Sequence, residues 1–99
     1  MLQHFVGLVV KTTKQVFDTK TAILMDFRCD QSQGIHFIYL LPFNKNRALV
    51  ESTILSKNLV NKKFYLDSIK NYLSTYYEVK NFNIENEEIG VIPMIYINT

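Results

Sequence analysis

The sequence has 99 residues, of which 47% are hydrophobic and 20% are charged. This balance is typical of a globular domain and excludes a disordered chain. The net charge of +2 is too small to indicate a polyanionic partner such as nucleic acid, and no apolar stretch approaches the ~20 residues that span a bilayer. We therefore expect one small domain.

Cysteine usage indicates the compartment. Cys29 is the single cysteine, so it forms no disulfide within the chain, and no His or Cys cluster accompanies it at metal-ligand spacing. We therefore predict a reducing, cytoplasmic setting and no metal site. The N-terminus also lacks the pattern of a signal peptide.

The chain begins with patterns typical of strands. Leu2–Lys11 is rich in Val and apolar on both faces, which predicts a buried strand. Residues 12–20 are polar, with Val16 and Phe17 as apolar anchors, and predict a turn and a short strand.

Alternation in residues 22–28 predicts a strand with two distinct faces. One face would carry Ile23, Met25 and Phe27, and the other would carry Leu24, Asp26 and Arg28. The Asp26–Arg28 pair can orient a polar site or an anionic cofactor group, although such pairs more often form a solvated face or a cross-strand ion pair.

A turn at residues 30–34 precedes a predicted hairpin. Residues 36–42 form its first strand, which Pro42 ends or leaves at a sheet edge, and residues 47–55 form its second. The polar residues 44–46 connect the two strands.

After the hairpin, the spacing of the apolar residues changes from every second residue to a repeat of 3.6 residues. Residues 62–77 predict an amphipathic helix with Asn61 as its N-cap. Its apolar stripe comprises Tyr65, Leu66, Ile69, Tyr72, Leu73 and Tyr76. Residues 78–83 are expected to be extended, and residues 88–97 predict a last strand, or two strands broken at Pro93.

The predicted order is β-β-β-β-α-β. Four strands with short connections before one helix favour an α+β fold, in which the helix packs on one face of an antiparallel sheet. No linker or composition shift divides the chain, so residues 1–99 form a single predicted domain. Because apolar residues reach almost to both ends, we interpret this domain as a piece of a longer protein.

Glu51 is the main candidate for chemistry. It lies in the otherwise apolar strand RALVEST and shares a face with Leu49, Thr53 and Leu55 by alternation. If that face is covered, burial should raise the pKa of Glu51 and make it a general acid. If the face is open, or if Arg47 or Arg28 pairs with Glu51, the carboxylate is only a solvated strand residue.

The aromatic residues and histidines have simpler explanations. Phe and Tyr side chains could stabilise a cation or a flat apolar ligand, but they are also ordinary strand residues. His4 and His36 have no evident catalytic partner and are predicted to be structural. The predicted element order differs from that of a sheet-based RNA-binding domain, and the near-neutral chain lacks the basic surface that RNA binding requires.

Six short strings together resemble one family, the flavin-dependent lycopene cyclases. They are QHFVG at 3–7, VFD at 16–18, LMDFR at 24–28, FIYLLP at 37–42, RALVEST at 47–53 and GVIPM at 90–94. They occur in the family's order over nearly the whole chain. The helix at 64–77 also falls where the family has a helix carrying a Tyr-Leu pair.

The resemblance implies a substrate-domain fragment of a hydroxybenzoate-hydroxylase-type flavoprotein. The longer parent would cyclise the ends of lycopene to β-ionone rings by an acid-catalysed reaction without net redox change. It would use reduced FAD and NAD(P)H, held by a flavin domain outside this chain, and is expected to associate peripherally with the membrane. The fragment itself is expected to bind no cofactor and to be inactive alone.

Residue by residue, the resemblance assigns a site. Glu51 matches the first acid of the family's acidic motif, the one associated with catalysis, whereas Ser52 replaces the second acid. Asp26, Arg28, Tyr39 and Thr53 are the predicted substrate-binding residues. The alternative is a non-catalytic binding or interaction domain that retains the substrate-domain fold.

Overall fold

The computed structural model describes residues 2–93, and its element order agrees with the predicted one. Four strands precede the single helix, and one strand follows it. The elements are β1 (Leu2–Lys11), β2 (Ile23–Asp26), β3 (Ile35–Asn44), β4 (Arg47–Ser56), α1 (Lys62–Tyr77) and β5 (Asn83–Pro93). The predicted α+β class and the order β-β-β-β-α-β are therefore confirmed.

The five strands form one antiparallel sheet in the order β2-β3-β4-β1-β5. α1 packs across one face of this sheet, mainly against β4 and β1. We call this the helix face, and the opposite side, which carries Leu49, Glu51, Thr53 and Leu55 of β4, the open face. Side chains of the helix face form the core, including Val6, Leu8, Val10, Ile38, Leu40, Val50 and Ile54.

α1 has the predicted bounds and the predicted N-cap. The Asn61 side chain accepts a hydrogen bond from the Lys63 backbone N–H at 2.9 Å. The helix ends at Glu78, whose left-handed backbone closes the last turn. The stripe differs from the prediction at two positions, because Tyr76 is 39% exposed and Ser68 is buried. Ser68 tolerates burial since its hydroxyl donates to the Phe64 carbonyl.

The predicted alternation in residues 22–28 is wrong at β2. Ile23 pairs with Leu40 and Asp26 pairs with Ile38, so Ile23 and Asp26 both face the helix. The register shifts between them, at Met25, whose φ of 55° is left-handed. This irregularity inserts a residue and reverses the alternation, which a pattern of apolar residues cannot reveal.

Residues 12–20 contain no strand, contrary to prediction. Their two apolar anchors are nevertheless in place. Phe17 is 4% exposed within the core and Val16 packs against it. Both backbone N–H groups donate to the Lys45 carbonyl, so the β3–β4 turn replaces a partner strand.

The β3–β4 hairpin is confirmed, but Pro42 does not end β3. The strand continues to Asn44, past the last pair with β2 at Leu40, and its register shifts just after Pro42. A residue without an N–H is tolerated beside such an irregularity. β5 starts at Asn83, earlier than predicted, and runs to Pro93 without division. The predicted continuation to residue 97 lies outside the described residues.

Candidate active site

Glu51 lies at the middle of β4, the central strand of the sheet, on the open face. Its neighbours across the strands are Tyr39 on β3 and Gly7 on β1. A Cβ atom placed on Gly7 would lie only 3.6 Å from Glu51 Oε2. The carboxylate therefore extends over the backbone of Gly7, within van der Waals distance of where a Cβ would lie.

Thr53 holds the carboxylate from one side. Its Oγ1 donates a hydrogen bond to Glu51 Oε1 at 3.2 Å. Thr53 itself is fully buried, although it belongs to the open face. Its cross-strand partners are Phe5 and Phe37, which explains the burial. Thr53 thus orients one carboxylate oxygen from a buried position.

The surroundings of Glu51 favour its protonated form. Burial raises the pKa of the Glu51 carboxyl above its ordinary value, and the nearby charge of Glu88 raises it further. The hydrogen bond from Thr53 acts in the opposite direction and lowers this pKa. A carboxyl group that retains its proton more strongly is suited to general-acid catalysis.

Apolar and aromatic side chains surround this carboxyl on the open face. Tyr39 pairs with Glu51 directly, and the Phe37 ring lies 5.8 Å from the Phe27 ring. The next row along β4 contains Leu41, Leu49 and Val9. Aromatic faces stabilise cations, so the face could support a positively charged intermediate.

Asp26 and Arg28 lie elsewhere. Asp26 faces α1, where its Oδ2 accepts a hydrogen bond from the Tyr72 hydroxyl at 2.5 Å. The same oxygen forms an ion pair with Arg28 Nη2 at 2.6 Å. The Arg28 guanidinium lies 4.0 Å from the centre of the Tyr76 ring. The Arg28 hydrogen bond, together with that of Tyr72, holds the pKa of Asp26 well below its usual range. These contacts connect β2 to the helix.

The structure thus brings two of the predicted substrate-binding residues, Tyr39 and Thr53, to Glu51. It does not bring Asp26 and Arg28 there, because the sheet lies between. A cavity of about 300 Å³ borders Arg28, Cys29 and α1, but Glu51 is not part of its lining. Burial raises the pKa of the Cys29 thiol to about 11, which disfavours a reactive thiolate.

Ser52, next to Glu51 in sequence, points to the opposite face. Its hydroxyl is fully buried and lies 2.6 Å from His36 Nε2. His36 Nδ1 donates to the Asp30 carbonyl at 2.7 Å, so Nε2 is the acceptor for Ser52. Both polar residues are satisfied inside the core. A second acid at position 52 would therefore lie on the helix face and not beside Glu51.

Sequence reasoning missed two members of the site, Gly7 and Glu88. Glu88 was assigned to a predicted strand, but only the pairing of β5 with β1 places it opposite Gly7. No sequence pattern carries that register, because β5 joins the sheet after the helix. Within residues 2–93, no group of three His, Cys, Asp or Glu residues could hold a metal ion, and no helix could cross a membrane.

A family model described as "Lycopene cyclase protein" matches residues 1–98. No curated protein and no solved structure matches the chain.

Proposed function

The chain belongs to the lycopene cyclase family, and we propose that it forms the substrate-domain part of a lycopene β-cyclase. The full-length enzyme would close the ends of linear lycopene into β-ionone rings, in a reaction without net redox change. In this proposal the domain corresponds to the substrate domain of hydroxybenzoate-hydroxylase-type flavoproteins and is inactive alone.

One observation carries the proposal. Glu51 is a half-buried carboxyl at the centre of the sheet, and its pKa is raised on a face lined by aromatic and aliphatic side chains. Protonation of an alkene requires an acid that keeps its proton in an apolar place, because water would otherwise compete for the proton. On the open face, Glu51 combines a raised pKa with apolar and aromatic neighbours. In this proposal, other parts of the full-length enzyme would complete the exclusion of water.

The reaction then follows in three steps. The Glu51 carboxyl gives its proton to the terminal C=C of lycopene, which leaves a carbocation at the neighbouring carbon. The next double bond donates its electron pair to that carbon and closes the ring. Loss of a ring proton restores a C=C, so that one proton enters and one leaves. Tyr39 and Phe37 offer π-faces to the cation on the same side of the sheet.

The described residues do not fit an FAD site. The flavin's diphosphate requires a glycine-rich turn at a helix N-terminus. α1 begins at Asn61-Lys62-Lys63, and the nearest glycine before it, Gly34, belongs to the turn before β3. We therefore propose that reduced FAD and NAD(P)H bind in other parts of the full-length enzyme. Peripheral membrane contact belongs to the proposal for the full-length enzyme and is independent of this argument.

Replacing Glu51 by Gln tests the acid directly. In the full-length enzyme, expressed in lycopene-accumulating cells, Glu51→Gln should lower β-carotene formation by roughly 10²- to 10⁴-fold, because the amide has no acidic proton to deliver. Pigment chromatography measures the product, and immunoblotting checks that the variant accumulates.

The matched control is Asp67→Asn, which removes an exposed carboxylate of α1 that is paired only with Lys63. It should leave β-carotene formation unchanged. If Glu51→Gln forms β-carotene at the unmodified rate, Glu51 is not the acid. Cyclisation then depends on another acid. If the unmodified full-length protein itself forms no β-carotene, a non-catalytic binding domain becomes the better explanation of this fold.

A further inference from the structure

Glu51 has a second carboxylate on its own face of the sheet. Gly7 of β1 pairs directly with Glu51 of β4 on one side and with Glu88 of β5 on the other. Residues that pair directly across strands point to the same face. Glu51 and Glu88 therefore both project from the open face, separated only by the strand that contains Gly7.

Gly7 itself places no side chain between them, although Leu49 Cδ1 borders this space at 3.5 Å from the point where a Gly7 Cβ would lie. Neighbouring strands lie about 4.8 Å apart, so the backbones of Glu51 and Glu88 are roughly 10 Å apart, and both side chains can extend over the glycine. The Glu51 side chain already does so, with Cγ and Oε2 3.7 and 3.6 Å from the point where a Gly7 Cβ would lie.

We propose that Glu88 is a positioning residue for Glu51, whose negative charge across the Gly7 gap adds to the effect of burial in favouring the protonated Glu51 carboxyl. The sequence neighbour at position 52 cannot do this, since Ser52 faces the helix. The second carboxylate of the site thus comes from the last strand and not from the RALVEST segment.

The other charged groups of the open face lie farther along it. Arg47 of β4 forms an ion pair with Glu85 of β5. Lys11 of β1 lies directly across from Arg47, at the same end of the sheet. β3 presents Tyr39 beside Glu51. Among these, Glu88 alone contributes a charge effect to Glu51, and it raises the pKa.

An electrostatic role has a property that a packing role lacks. Repulsion between two partly solvated carboxylates weakens as ionic strength rises, because salt screens it over a distance of about 10 Å at 0.1 M. The influence of Glu88 on Glu51 should therefore decrease with added salt, whereas a contact that only shapes the strand should not respond.

Carboxyl NMR titration of the purified 99-residue chain tests the pairing without any assay of activity. The midpoint is the pH at which half of the Glu51 carboxyl groups have lost their proton. It should fall in Glu88→Gln and fall further in Glu88→Lys, which places a positive charge across the gap. Added salt should lower the midpoint in the unmodified chain and change it less in Glu88→Gln.

The control is Glu87→Gln. It makes the same charge change one residue away, but Glu87 faces the helix side, where it pairs with Leu8 and forms an ion pair with Lys62. The Glu51 midpoint should remain where it is. A midpoint that is unchanged in both Glu88 variants, or that shifts equally in Glu87→Gln, overturns the inference.

The catalytic consequence rests on the proposed function, whereas the pairing does not. In the full-length enzyme, Glu88→Gln should shift the pH profile of cyclisation to lower pH in parallel with the Glu51 midpoint. If the midpoint shifts but Glu51→Gln remains fully active, the pairing stands and only the proposed acid role is overturned.

Discussion

At the scale of single residues, two glycines of the sheet differ in how closely other side chains approach them. At Gly7, an added Cβ would make ordinary contacts, the nearest at 3.5 Å to Leu49 Cδ1. At Gly90, it would overlap ring atoms of Phe5, the directly paired residue on β1. Gly90 therefore makes room for an aromatic ring, while Gly7 leaves room for a carboxylate.

Gly90→Ala should consequently destabilise the chain. Because the methyl group displaces the Phe5 ring, we expect the free energy of unfolding to fall by roughly 1–3 kcal/mol, the usual cost of overpacking. Urea denaturation followed by circular dichroism measures it.

Gly7→Ala serves as the control and should cost clearly less. Combining Gly90→Ala with Phe5→Leu should recover part of the loss, because the shorter side chain leaves space for the methyl group. Equal losses for the two glycine variants would contradict this account.

At the scale of elements, chain ends and irregularities determine the geometry. α1 begins where the Asn61 side chain satisfies a free backbone N–H, and β2 changes face where Met25 takes a left-handed backbone. The first feature follows from residue type, since Asn is a favoured N-cap. The second does not, because Met has no preference for a positive φ.

Asn61→Ala should remove the cap and lower the free energy of unfolding by about 1 kcal/mol. Chemical denaturation again provides the measurement. Asn61→Asp keeps an accepting oxygen at the same position and should retain most of the stability. If both variants lose the same amount, capping by this side chain is not what stabilises the helix start.

At the scale of the whole molecule, the sheet separates two carboxyl groups with opposite properties. Asp26 faces the helix and binds its proton weakly, because Arg28 and Tyr72 donate hydrogen bonds to its charged form. Glu51 lies on the open face and binds its proton strongly, because it is half-buried near Glu88. The first group stabilises the folded chain as an anion, whereas the second destabilises it as an anion.

The pH dependence of stability follows from these signs. The folded chain holds the Glu51 proton to higher pH than the unfolded chain does, so unfolding free energy falls as pH rises from the ordinary pKa of 4.5 through the raised value. Asp26 acts oppositely, and its contribution is lost as pH falls below its ordinary pKa of 3.8.

We therefore expect Glu51→Gln to be more stable than the unmodified chain at pH 7, with a difference that shrinks as pH falls toward 4.5. Thermal unfolding of both chains over this pH range measures the difference. An equal difference at every pH would show that the change acts through packing and not through the charge of Glu51.

Local sequence patterns were enough to predict the element order, the helix with its cap and the β4 residues that share a face with Glu51. These features depend on local patterns that extend over a few residues. The patterns are the spacing of apolar residues, every second residue in strands and every 3.6 residues in the helix, and the capping preference of Asn61. The ordered strings that led to the lycopene cyclase family are also sequence information, and the family match over residues 1–98 agrees with them.

The residues that surround Glu51, in contrast, could be identified only from the folded structure. Gly7 and Glu88 lie 44 and 37 positions away in sequence, and their placement depends on the registers of β1 with β4 and with β5. Asp26 and Arg28 lie on the other side because the irregularity at Met25 turns them to the helix. Register arises from the joint packing of all five strands, so no local pattern contains it.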